Sequence, residues 1–176
     1  MNTNHMSALT EYPAINMSSS INMALHDSLQ ADERTMLIGE DIGPLGGVFR
    51  VTTGLLKTFG ESRVVNSPLG EAGIVGTAIG LAMSGYRPVC EIQFDGFVFP
   101  AMNQITTQLA KLHHRSRGTI RLPIVIRIPV AGGIGAIEHH SESPESYFAQ
   151  TPGLRVVTCS TPQNAYSLLR ASIDSD

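Results

Sequence analysis

The chain has 176 residues, of which 42% are hydrophobic and 15% charged, so it fits one compact domain with a sizeable core. Its net charge of -3 supplies no global field to attract nucleic acid or an anionic membrane. The longest apolar stretch, residues 72–83, is short of the roughly 18–20 residues that a membrane span needs.

The two cysteines, Cys90 and Cys159, lie far apart in apolar surroundings. They read as buried, reduced thiols of an intracellular protein rather than a disulfide framework. Residues 1–16 form a polar extension in which no positive end leads into an apolar core, so a secretory signal is not expected and a cytoplasmic setting is.

The elements alternate. Met17 to Leu29 has helical apolar spacing at Ile21, Ala24, Leu25 and Leu29. A short buried strand, Thr35 to Ile38, runs into Gly39-Glu40-Asp41 and a loop holding Gly43, Gly46 and Gly47. Val51 to Phe59 is expected as a helix stopped by Gly60, and Arg63 to Asn66 as a strand ended by Pro68. A helix from Glu71 to Ser84, apolar all round and therefore buried, is stopped by Gly85. Its Gly76-x-x-x-Gly80 spacing suggests close packing in a core rather than a membrane dimer.

Arg87 to Phe94 reads as a strand, Phe97 to Leu112 as an amphipathic helix and Ile124 to Ile128 as the clearest strand. A loop with Gly132, Gly133 and Gly135 follows, then a strand from Leu154 to Cys159. Thr161 is the expected N-cap, with Pro162 first inside, of a helix reaching about Ile173. Such alternation predicts an α/β fold, a mostly parallel sheet covered on both faces in three α/β/α layers. No strand follows the last helix, so the pattern reads as clipped at Asp176. Ligands of such sheets bind beyond the carboxyl ends of the strands. Glu71, the pair Gln93 and Phe97, and His139-His140 each follow a strand and are expected to converge there.

Glu71 is one carboxylate at the mouth of an otherwise apolar or tiny run with no further charge before Arg87. Acids favour helix N-termini for electrostatic reasons alone. Burial of a charge is costly, however, and carboxylates kept at that cost cluster at functional sites. Phe97 lies among three aromatics in residues 94–99, which suits a core or a flat surface for a planar heterocycle.

His139-His140 has flanking glutamates, yet neither a His-x-x-x-His spacing nor a Cys pair supports a metal. An acid–base or substrate-contact role suits a histidine in a glycine-rich loop better. His113-His114-Arg115-Ser116-Arg117 complements a helix C-terminus, and no interleaved aromatics support nucleic-acid contact. Neither glycine loop matches the dinucleotide fingerprint or the Walker loop.

Residues 17–176 resemble the amino-terminal, pyrimidine-binding domain of the β subunit of 2-oxo acid dehydrogenases, the thiamine diphosphate-dependent decarboxylating component, a domain shared with transketolase. The resemblance rests on Gly39-Glu40-Asp41, Gly46-Gly47-Val48-Phe49-Arg50, Pro68-Leu69-x-Glu71-x-Gly73-Ile74 and Glu91-Ile92-Gln93-Phe94. His140-Ser141-x-Ser143 and Pro152-Gly153-Leu154-x-Val156-Val157 complete the set, in this order.

The resemblance implies that Glu71 hydrogen-bonds N1′ of the cofactor's aminopyrimidine. It implies that Phe97 packs on that ring, that Leu69 and Gln93 belong to the same pocket, and that His140 stands near substrate and lipoyl group. It carries no role onto His139. The implied chemistry is oxidative decarboxylation of pyruvate or a branched-chain 2-oxo acid, with acyl transfer to lipoamide. A carboxyl group at N1′ favours the imino form of the aminopyrimidine that takes the thiazolium proton.

The family's Gly-Asp-Gly metal motif is absent, so Mg2+ is expected on a partner α subunit and the chain supplies no metal ligand. The expected partners are that α subunit, a second β subunit in an α2β2 assembly, and the lipoyl transacylase. A monovalent cation site in relatives would fall on Ile124, Ser172 and Ile173, with Ser175 where an acidic ligand is expected. Two other readings stay open at this point: a non-catalytic subunit-interaction module and a transketolase-like sugar transferase.

Overall fold

The computed structural model describes residues 15–131 and 133–176. The polar extension over residues 1–14 and Gly132 of the second glycine loop lie outside the described residues.

Four parallel strands make one sheet in the order β2-β1-β3-β4: β1 (Thr35–Glu40), β2 (Val64–Ser67), β3 (Arg87–Glu91) and β4 (Val125–Arg127). Successive side chains of a strand point to opposite faces. The register aligns Leu37 with Val64, Val89 with Leu37, and Val125 with Val89. These face one core, which they share with α1 (Met17–Ala31), α2 (Leu55–Phe59) and α6 (Pro162–Asp174).

The next residues along, Ile38, Val65, Cys90 and Ile126, face the other side. There Ile74 and Ala78 of α3 (Glu71–Met83) cover them. Beyond, Val98, Ala101 and Ile105 extend that layer from the segment after β3. The three α/β/α layers expected from the alternation are therefore present.

Local sequence sets the element ends. Asn16 caps α1 by accepting from the Ser19 amide at 2.8 Å, and Thr161 caps α6 by accepting from the Asn164 amide at 3.2 Å, behind Pro162. The helix expected from Val51 is shorter and starts at Leu55, because Gly54 stands at φ 81 and breaks the helical run before it.

The helix expected over Phe97 to Leu112 forms three pieces: a 3-10 segment Asp95–Ala101, a π-helical segment Gln104–Leu109 and α4 (Ala110–Arg115), and a short α5 (Glu145–Ala149) follows β4. Pro100 lacks an amide hydrogen. Thr106 donates its hydroxyl to the Met102 carbonyl, and Thr107 does the same to Asn103, competing with the helical ladder. The strand expected to reach Phe94 ends at Glu91, where the chain turns into the 3-10 segment.

Three expectations are corrected. Leu154 to Cys159 is no strand: β4 is only three residues long between Pro123 and Pro129, and its outer edge pairs with nothing among the described residues. With that segment unpaired, Cys159 is exposed and only Cys90 is the buried thiol foreseen. Burial, then the Glu91 charge, pushes the Cys90 thiol up to about 12.

Finally, α3 is not buried all round. Gly73, Gly76, Thr77, Gly80 and Met83 are exposed, and no atom lies within 4 Å of where a Gly80 Cβ would stand, so that spacing does not serve packing in this core. Glycines raise the apolar count without supplying side chains to bury.

Leu25 is almost fully buried between α1 and the sheet, whereas Met23 on the same helix is exposed. Leu25→Ala is expected to lower stability by about 2–5 kcal/mol, and Met23→Ala to stay within about 0.5 kcal/mol, as read from urea unfolding midpoints.

Candidate functional site

Adjacent strands whose following connections pass to opposite faces leave a crevice at their carboxyl ends. β1 and β3 are such a pair. The chain after β1 leads to α2 on one face, and the chain after β3 leads to Val98 and Ala101 on the other. The polar strand ends gather at this edge, since Glu40 is in register with Ser67, Gly39 with Glu91, and Glu91 with Arg127.

Gln93 bridges the crevice, its Nε2 donating to Asp41 Oδ2 at 2.9 Å. Asp41 holds a left-handed backbone at φ 58 and accepts from the Gly47 amide at 2.8 Å, which turns the chain sharply out of β1. Glu71 opens α3 and is 7% exposed. Among the described residues its carboxylate has neither an ion-pair nor a hydrogen-bond partner. It lies near enough to act on Glu40, whose carboxyl is held above its ordinary value first by burial and then by the Asp41 and Glu71 charges.

Beside the acids stands an aromatic cluster. Phe94 stacks on His140, with ring centroids 4.0 Å apart and an interplanar angle of 23°. Phe97 meets the same imidazole edge-on at 4.9 Å, and Phe49 packs edge-on against Phe94 at 5.6 Å. His140 Nδ1 is buried without a hydrogen-bond partner. His139 is exposed and touches His140 at 4.4 Å. A cavity of about 20 Å³ lined by Phe49, Phe94, Asp95 and His140 has room for one water.

Glu91 and Arg127 form a bidentate ion pair at the strand ends, one arm of it Nε to Oε2 at 2.6 Å. Glu91 is buried and Arg127 partly so, and burial raises the Glu91 carboxyl above its ordinary value while the guanidinium opposes the rise.

The chain matches the family model described as "Transketolase, pyrimidine binding domain" over residues 13–176. The chain belongs to this family. It is 61% identical over 160 residues to "Pyruvate dehydrogenase E1 component subunit beta" of Leifsonia xyli, covering 91% of this chain and 48% of that protein. It is 53% identical over 160 residues to "3-methyl-2-oxobutanoate dehydrogenase subunit beta" of Mycobacterium tuberculosis, covering 91% and 46%. With "2-oxoisovalerate dehydrogenase subunit beta" of Bacillus subtilis the identity is 46% over 154 residues, covering 88% and 47%. The chain thus spans about half the length of the curated relatives it matches.

A solved structure titled "Split gene transketolase, inactive beta4 tetramer" superposes with a TM-score of 0.73 at 15% identity, over 92% of this chain and 49% of that one. At that identity the likeness concerns the fold alone.

Within this pyrimidine-binding domain four of the five residues singled out in the sequence fall into two groups. Glu71 and Gln93 belong to the acidic side of the crevice, and Phe97 and His140 to the aromatic side. Leu69 projects from the turn before α3 and is 69% exposed. Sequence reasoning missed the Glu91–Arg127 pair and Asp95. The signal for the pair was a charged residue at the end of each of two apolar strands. The signal for Asp95 was a lone acid between Phe94 and Phe97.

In the basic run His113–Arg115 at the end of α4, the Arg115 guanidinium reaches back to donate to the Thr107 carbonyl of the π-helical segment at 2.9 Å. Among the described residues no group of three or more His, Cys, Asp or Glu is placed to hold a metal ion. Of the three residues named for a monovalent cation, Ile173 has its carbonyl engaged by a guanidinium. Arg87 Nη2 donates to the Ile173 carbonyl at 2.8 Å and to the Ser175 carbonyl at 2.6 Å, so a guanidinium already closes the end of α6. Among the described residues no helix is long and apolar enough to cross a membrane.

Arg127→Ala leaves Glu91 buried and unpaired, and an expected loss of about 3–5 kcal/mol is measured by denaturant unfolding. Without the guanidinium the folded carboxyl binds its proton more tightly than the unfolded one does. Protonation then favours the folded state, so the deficit is expected to shrink as pH falls from neutrality into the carboxylate range.

Proposed function

We propose that this domain serves in the β subunit of a 2-oxo acid dehydrogenase decarboxylating component and acts on thiamine diphosphate through Glu71. One observation carries the reading. A carboxylate 7% exposed, without a partner among the described residues, opens a helix beside the β1–β3 crevice. A buried carboxylate is tolerated when something shares its proton or charge, and a ring nitrogen of a bound heterocycle supplies that partner. The residues present therefore fit the aminopyrimidine.

When bound, thiamine diphosphate supplies the electron sink for cleaving the bond between the carboxylate and the 2-oxo carbon. Glu71 would hold the aminopyrimidine by sharing a proton with N1′. Phe97 and Leu69 would hold the pyrimidine by apolar contact, and Gln93 fixes the crevice wall through Asp41. His140 holds the substrate carboxylate or moves a proton during acyl transfer to lipoamide.

Mg2+ and the diphosphate belong to a partner α subunit in this reading. The remaining partners are a second β subunit in an α2β2 assembly and the lipoyl transacylase, and the setting is the cytoplasm. Pyruvate and branched-chain 2-oxo acids are both candidate substrates, in keeping with the names of the relatives at 61% and 53% identity.

In the β subunit that contains these residues, co-expressed with an α subunit, Glu71→Gln and Glu71→Ala are expected to cut 2-oxo acid decarboxylation by about 100-fold or more, with assembly and circular dichroism preserved. Near wild-type turnover of either variant with a dye acceptor would remove Glu71 from the chemistry. The chain by itself is expected to be inert and to bind thiamine diphosphate weakly at best. A tight calorimetric isotherm without an α subunit would contradict the shared site.

A further inference from the structure

Asp95 is 2% exposed, and among the described residues no cation pairs with it. It begins the 3-10 segment after β3 but makes no side-chain cap bond to that segment. Its Oδ2 instead accepts from the backbone amide of Glu142, 47 residues further on, at 2.6 Å. The carbonyl of the same Glu142 accepts from the Ala131 amide at 3.0 Å, so this residue is held on both sides. Burial of a carboxylate that makes one hydrogen bond among the described residues is costly, and that cost calls for a purpose beyond local packing.

The next residue acts on the same loop. A Cβ on Gly96 would lie 2.4 Å from the His139 carbonyl oxygen, so only glycine lets that carbonyl approach. Asp95 and Gly96 thus grip the chain at Glu142 and His139, on either side of His140. Their neighbours Phe94 and Phe97 sandwich the imidazole itself, one face-on and one edge-on. Four consecutive contacts from residues 94–97 therefore fix both the backbone and the ring of His140.

We propose that Asp95 is a positioning residue for His140, fixing its place at the crevice through the Glu142 amide. The proposal rests on the reading that His140 works on substrate or acyl transfer. Misplacement of a working group by about 1 Å costs on the order of 100-fold in rate.

The test uses the β subunit containing these residues, assembled with its α subunit and assayed for transfer of the acyl group to a lipoyl domain. Asp95→Ala is expected to lower kcat about 10- to 100-fold with KM little changed. Asp95→Asn, whose amide oxygen still accepts from Glu142, is expected to recover most of it. The double variant Asp95→Ala/His140→Ala is expected to be no slower than His140→Ala alone, since a residue acting through His140 has nothing left to position.

Losses that multiply in the double variant, or an unaltered kcat in Asp95→Ala, overturn the assignment. Should Asp95→Ala fail to assemble, Gly96→Ala pushes the same loop from the His139 side, and the same loss of kcat and the same silence on the His140→Ala background are expected. An unaltered kcat there overturns the assignment equally. A wild-type assembly with no turnover on any 2-oxo acid overturns the functional reading itself, and the role of Asp95 with it.

Discussion

A slip of one residue between β1 and β3 would reverse the burial of every side chain in the sheet. The observed pairing sends Leu37 and Val89 to one core and Ile38 and Cys90 to the other. The same pairing brings Gly39 alongside Glu91, and Glu91 alongside Arg127. The apolar fit of the two cores therefore decides where the polar strand ends stand. The acidic side of the crevice and the buried ion pair are consequences of that register.

The edge carries buried and half-buried acids treated in two ways. Glu91 is paired in full by a guanidinium from the neighbouring strand, which makes it a fastening between β3 and β4. Glu71 and Glu40 are left without such a cation among the described residues, and burial, then the Asp41 and Glu71 charges, hold the Glu40 carboxyl above its ordinary value. Carboxylates left without a cation at a crevice are free to meet a ligand. The aromatic side differs again: stacking and edge contacts orient His140 with no hydrogen bond to Nδ1.

Most of the fold could be read from the sequence because each element carries its own signal. The Asn16 and Thr161 caps, the short apolar strands and the glycine stops all act over a few residues. What escaped the sequence depends on neighbours. Leu154 to Cys159 has strand composition, yet a strand exists only when another pairs with it. The 3-10 and π segments after β3 arise from Pro100 and from threonine hydroxyls bonding back to the chain.

At the site, Glu71 stood out as a charge in an apolar run, and its burial followed. Gln93 gave no hint of Asp41, nor Asp95 of Glu142, because those bonds span 52 and 47 residues. Such pairings are set by topology, which one sequence does not print.

Glycine in a helix interior costs about 0.8–1 kcal/mol relative to alanine, and α3 holds three: Gly73, Gly76 and Gly80. Isolated from the sheet, a helix of this make-up would melt. It persists because Ile74, Val75 and Ala78 are clasped by the cores beneath it. The address of the Glu71 carboxylate is therefore inherited from the strands rather than from its own helix. Loosening of that clasp anywhere along α3 would set the acid adrift before any strand came apart.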